Sequence, residues 1–126
     1  MSVTMENENI ADKKFQKELN AGTTALVLLA TMKNSMEQLY GYQIAKHLES
    51  DSNGEPMIKQ GALYPVLRSL ENSGLLESQV EPSVSGPPRK YYKITKDGQM
   101  TLGRWMAIWE NTKLFVDSVI TGGKNG

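Results

Sequence analysis

The 126-residue sequence has no cysteine, a single histidine and no excess of either charge. Without cysteine there is no disulfide framework and no thiolate chemistry, which fits a reducing compartment. The lone His47 has no cysteine or second histidine with which to share a metal. Glu49, Asp51 and Glu55 cluster around a turn but lack the alternating oxygen-ligand spacing and closing glutamate of an EF-hand loop. No glycine-rich phosphate loop and no nucleophile elbow occurs, and nothing near Glu71 and Glu77 would part their pKa values into an acid and a base. The reading is therefore not an enzyme, with no catalytic residue, no metal and no cofactor. No apolar run approaches the roughly 20 residues that span a bilayer. The opening MSVTMENENIADKK is acidic and polar where a signal peptide is basic and then apolar. The expectation is a soluble, cytoplasmic protein without a membrane partner.

Equal numbers of basic and acidic residues, 14 each, argue against bulk binding of polyanions, so any nucleic-acid contact must rest on a local patch. The charge is unevenly placed. There are 5 basic against 8 acidic residues through Ile58, 6 against 4 from Lys59 to Met100, and 3 against 2 afterwards.

The sign changes at the stretch with the clearest organisation, Lys59 to Thr95. Leu63, Val66, Leu67 and Leu70 recur at helical spacing and define one buried face. Ala62, Tyr64, Pro65, Arg68, Ser69 and Asn72 form the opposite face. Gly74 stands where a left-handed residue would end the helix, with Leu75 folding back onto its last turn. Leu76–Val80 and Arg89–Ile94 then read as strands around a loop that Pro82, Gly86, Pro87 and Pro88 keep from being helical. Alternation places Tyr92 and Ile94 on one face of the second strand and Arg89, Tyr91 and Lys93 on the other, with Lys90 adjacent. A helix followed by a basic, aromatic hairpin is the winged-helix arrangement, in which the helix enters the major groove and the wing touches flanking backbone. The same basic strand, taken alone, is equally a solvated edge that discourages aggregation.

The strings Gly61-Ala62-Leu63-Tyr64-Pro65-Val66-Leu67-Arg68-Ser69-Leu70-Glu71, Gly74-Leu75-Leu76 and Gly86-Pro87-Pro88-Arg89-Lys90-Tyr91-Tyr92-Lys93-Ile94-Thr95 with Gly98, together with the upstream Tyr40-Gly41-Tyr42-Gln43-Ile44, resemble the signature of the PadR-like transcriptional regulators. The resemblance spans roughly Gly22 to Ile120. It implies a short, single-domain regulator that binds double-stranded DNA. Relatives often carry a hydroxyl residue where Lys59 stands and another where Ala62 stands; both are missing here, which removes an expected helix cap and a base contact. The resemblance also implies that aromatic compounds can bind between central helices, and Trp109 matches a position where such relatives place a tryptophan.

The remaining segments fit around this unit. Residues 1–11 are expected to be a flexible tail, with Asp12 capping a first helix through Phe15 and Leu19 that Asn20-Ala21-Gly22 bends or interrupts. Thr23–Met32 is apolar nearly all round and needs cover on both sides. Lys33–Leu39 reads as a polar connection, and Gly41, Ile44, Ala45 and Leu48 mark a supporting helix. Ser50–Pro56 is a helix-stopping turn. Thr95 caps a last helix with Asp97 in its first turn, and Gly98 and Gly103 are tolerated inside it at about 1 kcal/mol each. That helix would be roughly 35 to 40 Å long, more than one small domain can cover. Leu102, Trp105, Met106, Trp109, Val116, Val119 and Ile120 run along it at spacings of three and four. A monomer would expose more contiguous apolar surface than soluble monomers do, so a homodimer is expected, with Leu26, Leu29, Leu102, Met106, Trp109, Val116 and Ile120 at its interface.

The fold class is thus mainly α with a small β-hairpin: a winged helix-turn-helix over residues 12–95, a dimerisation helix over 96–121, and a loose end at 122–126. The function expected is a DNA-binding transcriptional regulator, a repressor on a near-palindromic operator, with a small aromatic effector as ligand. Lys59, Gln60, Ala62, Tyr64, Arg68, Arg89, Lys90 and Lys93 are the candidate DNA contacts, and Trp105 and Trp109 the candidate effector walls. Two rival readings fit the same residues: a winged helix used for protein–protein contact, and a dimer that sequesters ligands around the two indoles.

Overall fold

Leu63, Leu67 and Leu70, one face of the helix read from the sequence, are buried in the computed structural model, with Val66 packed beside them. The structure describes residues 2–35, 37–49 and 58–122. The expected turn at Ser50–Pro56, the acidic residues Asp51 and Glu55 and the last four residues lie outside that range. The elements are α1 (Ser2–Asn34), β1 (Leu39–Tyr40), α2 (Gly41–Glu49), α3 (Gln60–Asn72), β2 (Leu76–Glu81), β3 (Arg89–Ile94) and α4 (Lys96–Ile120). The aliphatic face of α3 meets Leu28, Leu29 and Met32 of α1, Ile44 of α2, Leu76 and Tyr92 of the sheet and Leu102 of α4 in one core.

Helix α1 differs from expectation. It runs unbroken from Ser2, so Asp12 is an interior residue and not a cap. Asn20-Ala21-Gly22 does not interrupt it. Gly22 keeps a negative φ, and Asn20 accepts a side-chain bond from Gln16 at 2.8 Å within the helix. A single interior glycine costs only about 1 kcal/mol, less than the packing of the turns that follow. Leu28, Leu29, Met32 and Thr24 of the apolar stretch are buried, while Val27 remains exposed. One side is covered by the chain's own core and the other is left open.

A second difference is β1. Leu39 and Tyr40 pair antiparallel with Tyr92 and Tyr91, making a three-stranded sheet of order β1-β3-β2 where a two-stranded hairpin is expected. Two residues carry no detectable period, and the strand exists because β3 offers it an edge. Strand β2 extends one residue past the sequence reading, to Glu81.

The junctions are tightly specified. Ser73, Gly74 and Leu75 end α3 in a Schellman motif: the Leu75 N–H donates to the Leu70 carbonyl at 2.9 Å and the Gly74 N–H to the Glu71 carbonyl at 3.0 Å, with Gly74 at φ +78°. The Thr95 hydroxyl donates to the Gly74 carbonyl at 2.7 Å and accepts from the Gly98 N–H at 2.9 Å, so one side chain joins the end of α3 to the start of α4. Gly98 is required at this junction. A Cβ there would lie 2.1 Å from the Leu75 carbonyl oxygen and 2.7 Å from Ile94 Cγ1.

Helix α4 is 25 residues long, about 37 Å at 1.5 Å per residue. Its first turns enter the core through Gly98, Thr101 and Leu102, and Trp105 packs against that core. Beyond it Met106, Ile108, Trp109, Leu114, Phe115, Val116, Val119 and Ile120 are all exposed. Leu29 and Leu102, counted from the sequence among interface residues, are instead fully enclosed by their own chain, because both point inward at the crossing of α1 and α4. Among the described residues no helix is long and apolar enough to cross a membrane, and no group of His, Asp and Glu could hold a metal ion.

Candidate nucleic-acid interface

The outer face of α3 is free. Lys59, Gln60, Ala62, Tyr64, Pro65, Arg68, Ser69 and Asn72 are all exposed, while the leucines behind them fix the helix to the core. Lys59 occupies the N-cap in extended conformation and makes no side-chain cap bond, as loss of a hydroxyl there requires. The Ala62 N–H reaches the Lys59 carbonyl at 2.9 Å, an i→i−3 bond that tightens the first turn. Pro65, inside the helix, lacks the N–H that would have reached back to Gly61.

Tyr64 is anchored from below. A methyl group at Gly41 would sit 2.5 Å from its hydroxyl oxygen and 2.6 Å from Cε1, so the phenol lies directly on the start of α2. Gly41 is the residue that lets α2 and α3 approach this closely. That pairing ties Tyr40-Gly41-Tyr42-Gln43-Ile44 to Tyr64 in space, although more than twenty positions separate them.

The wing cations do not behave alike. The Arg89 guanidinium lies 4.6 Å above the Tyr40 ring, which in turn meets Tyr91 edge-on at 5.3 Å; the cation is steadied without being neutralised. Lys93 is exposed and, among the described residues, has no ion-pair partner. The same holds for Arg68. Lys90 belongs elsewhere. It faces the side of the sheet that carries Tyr92 and Ile94, its Nζ lies 3.0 Å from Glu71 Oε1, and it sits 5.4 Å from the Tyr92 ring. The Ser78 hydroxyl donates to the other Glu71 oxygen. The Glu71 carboxyl is held below its ordinary value by that hydroxyl and by Lys90, and Lys90 is raised above its own chiefly by Glu71.

Trp105 and Trp109 are brought to one place. They line a groove of about 480 Å³ between α1 and α4, with Glu18, Leu19, Leu26 and Ile108 among its other walls. Trp105 is half-buried and Trp109 exposed. Sequence reasoning missed Tyr40 beneath Arg89, Glu71 beneath Lys90 and the spacer role of Gly41. Each joins segments far apart in the chain, and no periodicity records such a meeting.

The transcriptional regulator PadR-like family matches residues 28–104, which run from the buried half of α1 to the first turns of α4. A PadR family transcriptional regulator from Eggerthella lenta superposes with a TM-score of 0.77 at 33% identity, covering 92% of this chain and 96% of that one. A PadR-like transcriptional regulator from Bacillus cereus gives 0.65 at 26% identity, over 82% of this chain and 96% of its own. A protein of Lysinibacillus sphaericus named uncharacterized protein X is 31% identical over 83 residues, 66% of this chain and 76% of that protein. Helix α3, the wing and the first turns of α4 therefore fall inside the family match, the structural match covers most of the chain, and the chain belongs to the PadR-like family of DNA-binding transcriptional regulators.

Proposed function

We propose that the chain is a cytoplasmic repressor that binds a near-palindromic operator as a homodimer and releases it when a small aromatic compound enters the α1–α4 groove. The observation that carries this reading is the divided α3 helix: its leucines are buried while Lys59, Gln60, Ala62, Tyr64 and Arg68 are all exposed. Two such helices related by a two-fold axis would occupy successive major grooves about one helical turn apart, matching protein symmetry to operator symmetry. Arg68, Arg89 and Lys93 supply phosphate contacts, and bound protein occludes the promoter.

The exposed apolar run on α4, with the open side of α1, supports the dimer. Met106, Trp109, Val116 and Ile120 of the expected interface are exposed, and Leu26 is partly so. The groove supports the effector, because two indoles one turn apart offer flat walls for a planar apolar ligand.

The test is fluorescence anisotropy of DNA from upstream of the protein's own gene against a shuffled control at two salt concentrations. Specific regulators exceed their non-specific binding by about 10³-fold or more, and that ratio is expected. Arg68→Met and Lys93→Met should each lower the salt slope by about one. Adding a planar aromatic dye should quench tryptophan fluorescence and release the DNA together. Equal binding of native and shuffled DNA, from this and other promoters, would sink the operator reading, and quenching without release would sink the effector.

A further inference from the structure

We propose that Glu71 is a positioning residue for DNA binding: its carboxylate holds both strands of the wing to the reader helix and, in doing so, withdraws Lys90 from phosphate contact. The proposal rests on the family's DNA binding and on the α3 face as the reader.

Glu71 lies in the last turn of α3, three residues before the left-handed Gly74. The chain reverses there and immediately starts β2. On the inner face of the sheet Ser78 is opposite Tyr92 and Val80 is opposite Lys90. One Glu71 oxygen accepts from the Ser78 hydroxyl on β2, and the other lies 3.0 Å from Lys90 Nζ on β3. Each oxygen thus takes one strand. Among the described residues no other side-chain hydrogen bond or ion pair joins α3 to β2 or β3.

Leverage makes this contact matter. The hydrophobic core holds the wing at its base, through Leu76, Tyr92 and Ile94, and on the β1 side Gln38 bonds Glu81 at 3.0 Å and Tyr40 supports Arg89, whereas Gln79, Val80, Arg89 and Lys90 are exposed. A six-residue strand reaches about 20 Å, so a tilt of about 10° at the base carries the tip about 3.5 Å, past hydrogen-bond range. Arg89 sits at that outer end and Lys93 nearer the base. A phosphate contact from Arg89 needs the tilt held, and the Glu71 tie is what holds it on the α3 side beyond the last core residue.

Charge follows from the same geometry. Lys90 beside a carboxylate is a neutral pair, and drawing it to a phosphate would leave Glu71 unpaired facing DNA. Among the described residues Arg68 and Lys93 form no ion pair, although Glu77 stands opposite Lys93 and Glu81 opposite Arg89 across the two strands, and the Arg89 guanidinium rests on an uncharged ring. Lys90, although it stands in the most basic segment of the chain, contributes no counterion release.

The experiment compares salt slopes and affinities of the full chain on its operator for Lys90→Met, Glu71→Gln, the double variant and Arg68→Met, with thermal melting as the folding check. Lys90→Met should leave the slope unchanged, and Arg68→Met should lower it by about one. Glu71→Gln should steepen it by about one by releasing Lys90, and adding Lys90→Met should restore the original slope. At that restored slope the double variant should bind about fivefold more weakly, the scale of one exposed ion pair, because the wing is no longer held. A slope lowered by about one in Lys90→Met would place that lysine on a phosphate and overturn the proposal. A double variant as tight as wild type would overturn the positioning role. An unchanged slope in Arg68→Met would refute the helix-face reading itself, and the tie's role in DNA binding with it.

Discussion

Replacing Gly98 by alanine tests whether the close approach of α4 to the α3–β2 turn decides stability. In a helix interior that change ordinarily gains about 1 kcal/mol from backbone propensity. Here the new methyl would stand 2.1 Å from the Leu75 carbonyl oxygen and 2.7 Å from Ile94 Cγ1, against an ordinary separation of about 3.5 Å. The first turn of α4 must retreat by about 1 Å, and the Leu75 carbonyl cannot yield because it accepts the Thr95 N–H at 3.1 Å. Overpacking costs about 1–3 kcal/mol, and disturbing the Thr95 cap adds about 1 kcal/mol. Net of the propensity gain, Gly98→Ala is expected to destabilise by about 1–3 kcal/mol, or about 1 M in urea midpoint. Gly103, on the same helix, has nothing within 4 Å of an added Cβ; Gly103→Ala should stabilise by up to about 1 kcal/mol. Urea unfolding followed by far-UV circular dichroism, at one protein concentration because self-association is linked to stability, reads both. Two shifts of the same sign, or a Gly98→Ala midpoint at or above wild type, would refute the reasoning.

Thr95→Ala removes both hydrogen bonds of the hydroxyl that joins α3 to α4 and should cost about 1–2 kcal/mol in the same assay, with Thr95→Ser recovering most of it; equal losses in the two variants would count against the hydroxyl. Gly41→Ala should push the Tyr64 ring off α2, since the added atom would meet its far end at 2.5–2.8 Å. A flexible tip can yield, so stability should stay within about 1 kcal/mol while operator affinity changes, and an unaltered Kd would show that Tyr64 does not depend on this seat. The pH dependence of the wing follows from Glu71 and Lys90. The depressed Glu71 value makes its contribution full above the ordinary carboxylate range and lost as pH falls through the lowered value. The raised Lys90 value makes its contribution full below the ordinary lysine range and lost as pH rises through the raised one. Protection of β2 and β3 amides, corrected for intrinsic exchange, should therefore be flat from about pH 6 to 9; a step inside that window would mean another group controls the wing.

Much of the fold is local and was legible. The spacing of Leu63, Val66, Leu67 and Leu70 located α3, Gly74 its stop, the Pro- and Gly-containing loop the wing, and Thr95 the start of α4. Each signal reflects a preference of a few neighbouring residues, which is what a sequence records directly. The exposed face of α3 was legible for the same reason, since burying one side of a helix leaves the other side outward. Strand β1 was not, because two residues form a strand only when β3 supplies the edge. Alternation along β3 predicted the sides of Arg89 and Tyr92 correctly, but it could not reveal that Lys90 would meet Glu71. Leu29 and Leu102 looked like Met106 and Ile120 in pattern, and only the crossing of α1 and α4 divided them between the chain's own core and its open face. Gly98 looked like a tolerated flaw and proved to be a spacer. The order of residues was enough for α3, the wing, α4, their apolar faces and the family, because periodicity and turn chemistry are properties of neighbours along the chain. The tertiary structure alone decided which cations stay unpaired, which glycines are indispensable and which leucines are enclosed, because those depend on distances between segments that the order of residues does not encode.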